Sequence, residues 1–141
     1  MINIDAKNHV TGKSIYLDDI PVMQGTLHTL VYDAPVAHAK IKSIDYSKAE
    51  ALEGVECIIT YKDIKGENQI GGIFPDEPLL AEEDIHFWGM PVVLILADSE
   101  QIAREARSLI TMEYDELDVI TDPRDARAKD SLIFPPRTFK I

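Results

Sequence analysis

Hydrophobic residues recur along this chain at two spacings, one typical of β-strands and one typical of an amphipathic helix. Apolar and β-branched residues predict strands at residues 15–17, 27–32, 37–44, 55–60, a short segment before Gly89, 92–97 and 111–114. Strict alternation within residues 37–44 places Ala39, Ile41 and Ser43 on one face and Ile44 on the other. The run 92–97 is the most apolar in the chain, so we expect a buried strand there.

One long helix is predicted directly after residue 97, with Asp98 or Ser99 as its N-cap. The apolar residues that share one face of this helix are Ile102, Ala103, Ala106, Leu109 and Ile110. On the opposite face, Glu100 and Arg104 are four residues apart, the spacing of a helical ion pair. We therefore expect an amphipathic helix packed on a sheet.

Shorter helices are predicted at three places. Ser47 is a suitable N-cap for residues 48–52, and Gly54 is a suitable residue to end that helix. Residues 61–64 predict a single turn, and Asp122-Pro123 predicts a helix with proline at its first position. Residues 1–8 are expected to be loose. The order of elements predicts one α/β or α+β domain, with a mixed β-sheet and helices packed on it.

Residues 70–98 contain the most unusual stretch, a loop with apolar side chains where a solvent-exposed loop would carry polar ones. Gly71 and Gly72 permit close approach of the backbone, and Ile73 and Phe74 follow at once. The prolines at positions 75 and 78 stiffen the loop. A rigid loop with two apolar side chains at its tip is suited to press against another surface, which makes it the best functional candidate in the chain.

Composition and charge exclude several classes of protein. The 141 residues are enough for one domain with a sizeable core, and 45% hydrophobic with 28% charged residues is typical of a globular protein. A net charge of −11 makes a nucleic-acid partner improbable, since such a partner requires a basic surface. No apolar run is long enough to span a membrane, and we expect a cytoplasmic location.

The side chains that most often carry chemistry show no catalytic pattern. The four histidines lack the spacing of metal ligands, and His28 with His38 is expected to form a cross-strand polar pair rather than a metal site. Adjacent carboxylates, such as Asp18 with Asp19, are expected to cap turns. Cys57 is expected to lie inside a buried strand as a structural residue. Phe87 and Trp88 suit either the core or a contact surface. We predict no catalytic, cofactor-binding or metal-ligating residue in this chain.

Motifs spread over nearly the whole chain nevertheless resemble a known module. They are His9-Val10-Thr11-Gly12, Tyr16-x-Asp18-Asp19-Ile20-Pro21, Ala37-His38-Ala39-x-Ile41, Ser43-Ile44-Asp45, Gly54-Val55, Asp63-Ile64, Asp76-Glu77-Pro78-Leu79-Leu80-Ala81, Gly89-x-Pro91-Val92 and Asp122-Pro123-Arg124. In order and spacing, this set resembles the α/β-hammerhead domain of the xanthine dehydrogenase and aldehyde oxidase family. The run Glu67-Asn68-Gln69-Ile70-Gly71-Gly72 is most similar to the bacterial xanthine dehydrogenases.

This resemblance implies a fold, an activity and a set of partners. Residues 1–128 would form the hammerhead domain, and residues 129–141 would be an extended connector to a molybdopterin-binding domain. The complete enzyme would hydroxylate a purine, another N-heterocycle or an aldehyde with oxygen from water. Electrons would pass from molybdenum through [2Fe-2S] clusters to FAD. The pterin ligands and the catalytic base of the family lie in later domains, so the chain alone would be inactive.

The resemblance also suggests a role for two residues of the apolar loop. Ile73 and Phe74 match the positions that line the substrate funnel in xanthine dehydrogenases, where they would shape the site and exclude water. Interdomain packing is the alternative for both side chains. Met90 departs from the family pattern, which often has glutamine between the glycine and the proline, so a polar contact there is in doubt.

Two other functions are kept as alternatives. In the first, the chain is a stand-alone interaction module of the same fold, with Ile73 and Phe74 as its partner-binding tip. In the second, the chain is a small hydrolase that uses His38 and Asp45, although the sequence supplies no nucleophile for it.

Overall fold

The structure is a computed structural model that describes residues 4–135 and 137–140. Its strands are β1 (His28–Asp33), β2 (Ala39–Asp45), β3 (Val55–Ile59), β4 (Asp84–Ile85), β5 (Pro91–Ala97) and β6 (Thr111–Glu116). Its α-helices are α1 (Ala6–Val10), α2 (Ser47–Glu50), α3 (Glu100–Leu109) and α4 (Pro123–Ala128). Two short 3-10 turns span Leu17–Asp19 and Tyr61–Asp63. The α+β class expected from the sequence is confirmed.

The strands form two three-stranded sheets, with the orders β1-β5-β3 and β4-β2-β6. Every strand pair in both sheets is antiparallel. The prediction of one mixed sheet was therefore wrong. The strands divide into two sheets because β4 pairs with β2, whereas β5 pairs with β1 and β3. Two strands that are consecutive in the chain therefore belong to different sheets.

The hydrophobic core is shared by the two sheets and by α3. Its largest fully buried side chains are Ile85, Met90, Val92, Val93 and Ile95. Ala103 and Ala106 on α3 are buried as well, because small side chains let the helix lie close to β1 and β5. The expected buried strand at residues 92–97 is thus confirmed as the centre of one sheet.

The ends of α3 agree with the sequence. Ser99 is the N-cap, and its hydroxyl accepts a hydrogen bond of 3.3 Å from the backbone N–H of Ile102. Arg104 forms the predicted ion pair with Glu100. Gly54 lies under this helix with φ of 88°, and a Cβ there would lie 2.6 Å from Cδ1 of Ile102. A side chain at this position would strain the backbone and force the end of the Ile102 side chain to move.

Four local predictions require correction. Residues 15–17 do not form a strand; they lead into the Leu17–Asp19 turn, whose Asp19 carboxylate accepts from the backbone N–H of Tyr16. The supposedly loose N-terminal part contains α1, although residues 1–3 lie outside the described range. Ser47 is the first residue of α2, and Tyr46 is its N-cap. Cys57 is exposed, because the outer face of β3 is not covered.

A β-bulge changes which residues of β2 face the core. The register against β6 shifts between Ile41 and Ser43, so that one residue of β6 faces two of β2. Beyond the bulge Ile44 is partly buried and Ser43 is exposed, the reverse of the strict alternation expected from the sequence. Ile44 accordingly packs against the core.

Candidate functional site

The 68–80 loop lies between the Tyr61–Asp63 turn and β4, and it is the segment that the sequence singled out. At its end the chain enters β4 in one sheet and then β5 in the other. The backbone N–H of Ala81 donates to the carbonyl of Pro91 over 2.7 Å, which ties the end of the loop to the start of β5. The loop is therefore attached where the two sheets meet.

We call residues 68–70 and 77–80 the neck of this loop, and Asn68 links its two sides. Its side-chain amide donates to the carbonyl of Leu80 over 2.8 Å, and its side-chain oxygen accepts from the backbone N–H of Leu80 over 3.1 Å. One side chain thus satisfies both backbone groups of the opposite residue, as a neighbouring strand would. A second bond runs from the N–H of Ile70 to the carbonyl of Glu77 over 2.8 Å. These bonds fix the two arms of the loop against each other.

Gly71 allows the tightest approach in the loop. A Cβ at this position would lie 1.7 Å from the carbonyl oxygen of Phe74. No side chain fits in that space, so the turn from Gly71 to Phe74 requires glycine. Gly72 is different, because a Cβ there would meet nothing within 4 Å. The expectation that both glycines serve close approach therefore holds for Gly71 alone.

The tip presents the two apolar side chains to the outside. Ile73 is 88% exposed and Phe74 is 49% exposed. The Phe74 ring packs against the ring of Phe134, with 5.4 Å between centroids and 55° between planes. This contact was not predicted from the sequence. No local pattern links the two rings.

One polar group within the loop is unusual. The side-chain oxygen of Gln69 is the one buried side-chain N or O atom without a hydrogen-bond partner in the described part of the chain. The amide nitrogen of the same side chain donates to the Glu67 carboxylate over 3.3 Å. A buried acceptor that lacks a donor is unfavourable, so the Gln69 oxygen reduces the stability of the neck.

The histidines do not form the pair expected from the sequence. His28 begins β1 and His38 precedes β2, and these strands belong to different sheets. Nδ1 of His38 instead lies 2.7 Å from the carbonyl oxygen of Asp118. The hydrolase alternative fails as well, since His38 directly precedes β2 and Asp45 ends it, about 23 Å apart at roughly 3.3 Å per residue.

The aromatic residues near β4 lie at the surface, and Met90 lies in the core. Phe87 is 45% exposed and Trp88 is more exposed still, which decides between the two locations that the sequence left open. Met90 is fully buried, and its sulfur accepts from the backbone N–H of His86 at 3.5 Å. Methionine therefore fills the core at this position.

A cavity of about 390 Å³ lies away from the apolar loop. Its lining includes Lys40, Lys42, Tyr46, Thr60 and Lys62, and no residue of the 68–80 loop. Two of these lysines are already paired, Lys40 with Asp84 and Lys42 with Asp115. The cavity does not extend the site at the loop tip.

Side chains that could hold a metal ion are not grouped together in the described part of the chain. Across residues 4–135 and 137–140, no three His, Cys, Asp or Glu side chains are grouped so that they could hold a metal ion. The loop tip offers one aliphatic and one aromatic side chain, neither of which ligates molybdenum. The described residues therefore offer no side-chain ligand set for a metal ion, and we derive no step of the chemistry through a metal centre. No helix among these residues is long and apolar enough to cross a membrane.

Solved structures share both the fold and part of the sequence. The aldehyde oxidoreductase from Desulfovibrio gigas superposes with a TM-score of 0.77 and 37% sequence identity, over 90% of this chain and 15% of that one. Quinoline 2-oxidoreductase from Pseudomonas putida 86 gives a TM-score of 0.76 and 32% identity, over 94% of this chain and 18% of that one. The fold is thus that of one domain within molybdenum-dependent oxidoreductases.

The sequence comparison gives the family. The family model "Aldehyde oxidase and xanthine dehydrogenase, a/b hammerhead domain" matches residues 11–118. This chain therefore belongs to the aldehyde oxidase and xanthine dehydrogenase family through its α/β-hammerhead domain, as the resemblance implied.

Two curated relatives illustrate the match. The "Xanthine dehydrogenase 1" of Arabidopsis thaliana is 36% identical over 139 residues, which are 99% of this chain and 10% of the relative. The "Nicotinate dehydrogenase large molybdopterin subunit" of Eubacterium barkeri is 33% identical over 130 residues, 92% of this chain and 30% of the relative. The chain spans only a small part of the relatives that it matches.

Proposed function

We propose that this chain acts as the hammerhead domain of a molybdenum hydroxylase of the xanthine dehydrogenase type, and that its 68–80 loop lines the substrate channel. The observation that carries this proposal is the pair of exposed apolar side chains, Ile73 and Phe74, on a loop whose neck is fixed by hydrogen bonds. The complete enzyme would hydroxylate a purine or related N-heterocycle. The oxygen would come from water, and two electrons would leave through the metal centre.

The chemistry of the tip suits a lining role. Neither Ile73 nor Phe74 can transfer a proton, so they would act by contact with the substrate and by excluding water. An aromatic ring adds preferred stacked or edge-to-face contact with a flat heterocycle. Because the neck is fixed, little conformational freedom would be lost when the substrate binds.

The remaining parts of the enzyme would be supplied by other domains or subunits. We propose that residues 1–128 are the hammerhead domain and that residues 129–141 connect it to the molybdopterin-binding domain. The complete enzyme would also contain [2Fe-2S] clusters and FAD. The chain by itself would bind none of these cofactors and would be inactive. We propose no nucleic-acid or membrane partner, and cytoplasmic location stays a prediction.

The test of the channel role is Phe74→Ala in the complete enzyme. We expect KM for a purine substrate to rise about tenfold, which corresponds to about 1.4 kcal/mol. The molybdenum spectrum should be unchanged, because Phe74 would not touch the metal. Phe87→Ala is the matched control, since Phe87 is exposed to a similar extent in another part of the chain. An unchanged KM in Phe74→Ala would remove the loop from the channel.

The isolated chain offers a second test of the same proposal. Purified from cells that make the cofactor, it should carry no pterin fluorescence. Fluorescence that copurifies with the chain at a constant ratio would contradict the proposal that the cofactor is held by other domains.

The second candidate is a stand-alone interaction module that uses the same loop. The high exposure of Ile73 favours it, because an uncovered apolar tip also suits a protein partner. The reading frame downstream of Ile141 separates the two functions. A continuing frame that encodes a pterin-binding domain supports the enzyme, and a stop codon directly after Ile141 supports the module.

A further inference from the structure

We infer that Phe134 is a positioning residue at the mouth of the substrate channel. It holds the Phe74 ring in one orientation. The inference rests on the proposed function, because it assigns a role to Phe134 only where Phe74 lines the channel. It places part of the site in the segment after α4, outside the 68–80 loop itself. Phe134 would not contact the substrate and would act through Phe74.

The ring contact is the first observation. The centroids are 5.4 Å apart and the planes are tilted by 55°, which lies within the preferred range for aromatic pairs. Phe74 and Phe134 are 49% and 51% exposed, so each ring keeps about half of its surface free. By contrast, Phe139 in the same segment is 87% exposed. Phe134 contacts the Phe74 ring, and the exposed half of Phe74 is available to a substrate.

The end of α4 is the second observation, because it fixes the direction in which the chain approaches the loop. The N–H of Ser131 donates to the carbonyl of Ala126 over 2.9 Å, and the N–H of Asp130 donates to the carbonyl of Arg127 over 3.3 Å. Asp130 has φ of 54°, in the left-handed region. These features define a Schellman motif, which ends a helix in one specific geometry. Phe134 lies three residues after Ser131, the residue at the end of this motif.

The division of the loop into a fixed neck and an exposed tip is the third observation. The Asn68 side chain and the Ile70 backbone hold the neck through hydrogen bonds, but these bonds do not orient the side chains at the tip. Among the described residues, the one ring that contacts Phe74 is Phe134. Without it, the Phe74 side chain would populate several rotamers, and substrate binding would have to select one of them.

The contact can be tested in this chain by fluorine NMR. The chain has four phenylalanines, so labelling with 4-fluorophenylalanine gives four resonances. Phe134→Ala should remove one resonance and shift that of Phe74, leaving those of Phe87 and Phe139 in place. Phe139→Ala is the matched control and should leave the Phe74 resonance unmoved. If Phe134→Ala leaves the Phe74 resonance within its line width, the inference is overturned.

The functional consequence is tested in the complete enzyme. Phe134→Ala should raise KM by about two- to tenfold, the range that an aromatic pair contributes, with little change in kcat. Phe134→Tyr should restore KM, because it keeps the ring, and Phe139→Ala should have no effect. Substitution of a residue that only stabilised the domain would lower the yield of folded enzyme. It would not raise KM while kcat stays nearly unchanged.

The outcomes distinguish this inference from the proposed function. If Phe74→Ala raises KM but Phe134→Ala leaves it unchanged, the inference fails and the channel role of the loop stands. If Phe74→Ala leaves KM unchanged, the channel role fails, and the positioning role fails with it. A rise in KM for both variants, together with the shifted Phe74 resonance, supports both.

Discussion

At the scale of single residues, the 68–80 loop depends on two side chains of opposite kinds. Asn68 contributes an amide that pairs with both backbone groups of Leu80, whereas Gly71 contributes the absence of a side chain. A loop has few backbone hydrogen bonds of its own, so such residues determine whether it holds one conformation. The exposed apolar tip depends on both of them.

The two neighbouring glycines give a direct test at this scale. Gly71→Ala should distort the loop, because its Cβ would lie 1.7 Å from the carbonyl oxygen of Phe74. We expect a loss of about 1–3 kcal/mol in the free energy of unfolding, measured by urea denaturation. The amide resonances of the loop should also shift.

Gly72→Ala is the control, since its Cβ would meet no atom within 4 Å. It should leave stability within about 0.5 kcal/mol of the parent, as surface substitutions usually do. Equal effects of the two substitutions would contradict the close approach at Gly71.

At the scale of secondary-structure elements, carboxylates fix the short turns. The backbone N–H and the hydroxyl of Thr60 both donate to the Asp63 carboxylate, over 2.8 and 2.9 Å. These bonds lower the pKa of Asp63 below its ordinary value of 3.8, with the backbone bond as the larger cause. The hydroxyl of Ser47 likewise lowers the pKa of Asp45, and the Arg124 guanidinium lowers that of Asp122. The 61–63 turn leads directly into the segment that carries the loop.

A pH dependence follows from these lowered pKa values. A carboxyl group whose pKa is lower in the folded state stabilises the fold above its unfolded-state pKa, and this contribution is lost as pH falls through the folded-state pKa. Asp63→Asn should therefore be less stable than the parent at pH 7. The difference should shrink as pH falls below 3.8, the ordinary value.

Thermal unfolding of both proteins across this pH range measures the effect. Glu56→Gln is a suitable control, because Glu56 is exposed on β3 and forms no ion pair within the described residues. A difference between Asp63→Asn and the parent that stays constant down to pH 2 would contradict the capping role of the carboxylate.

At the scale of the whole molecule, the core and the N-terminal arm are separate. We call residues 4–26 the N-terminal arm, and its backbone hydrogen bonds join residues within the arm. None of its residues belongs to the hydrophobic core, which begins with the sheets. Its large apolar side chains, such as Val10, Leu17 and Met23, are exposed. The arm therefore adds apolar surface to the domain but little stability.

Removal of the arm tests this separation. A variant that begins at Leu27 should keep its free energy of unfolding within about 0.5 kcal/mol of the parent, because no core contact is lost. Ile95→Ala should instead lose about 2–5 kcal/mol, since it leaves a cavity in the centre of β5. Urea denaturation measures both. A loss in the truncated variant as large as that of Ile95→Ala would show that the arm supports the fold.

The sequence by itself determined the local structure and the family. The helical spacing of Ile102, Ala103 and Ala106 predicted α3, because a helix buried on one face repeats its apolar residues at that spacing. The continuous apolar run at residues 92–97 predicted β5, because a strand buried on both faces is apolar throughout. The cap at Asp122 with Pro123 behind it was also predictable, since capping acts between neighbouring residues. The order and spacing of short motifs indicated the hammerhead domain, which the family model matches over residues 11–118.

Only the tertiary structure decided which distant surfaces meet. Periodicity does not specify the partner of a strand, so the division into two antiparallel sheets and the exposure of Cys57 were not predictable. The bulge in β2 moved Ile44 to the core by adding one residue against β6, which no pattern within β2 records. The contact between Phe74 and Phe134 likewise joins a loop tip to a segment far along the chain, because the end of α4 directs that segment towards the loop.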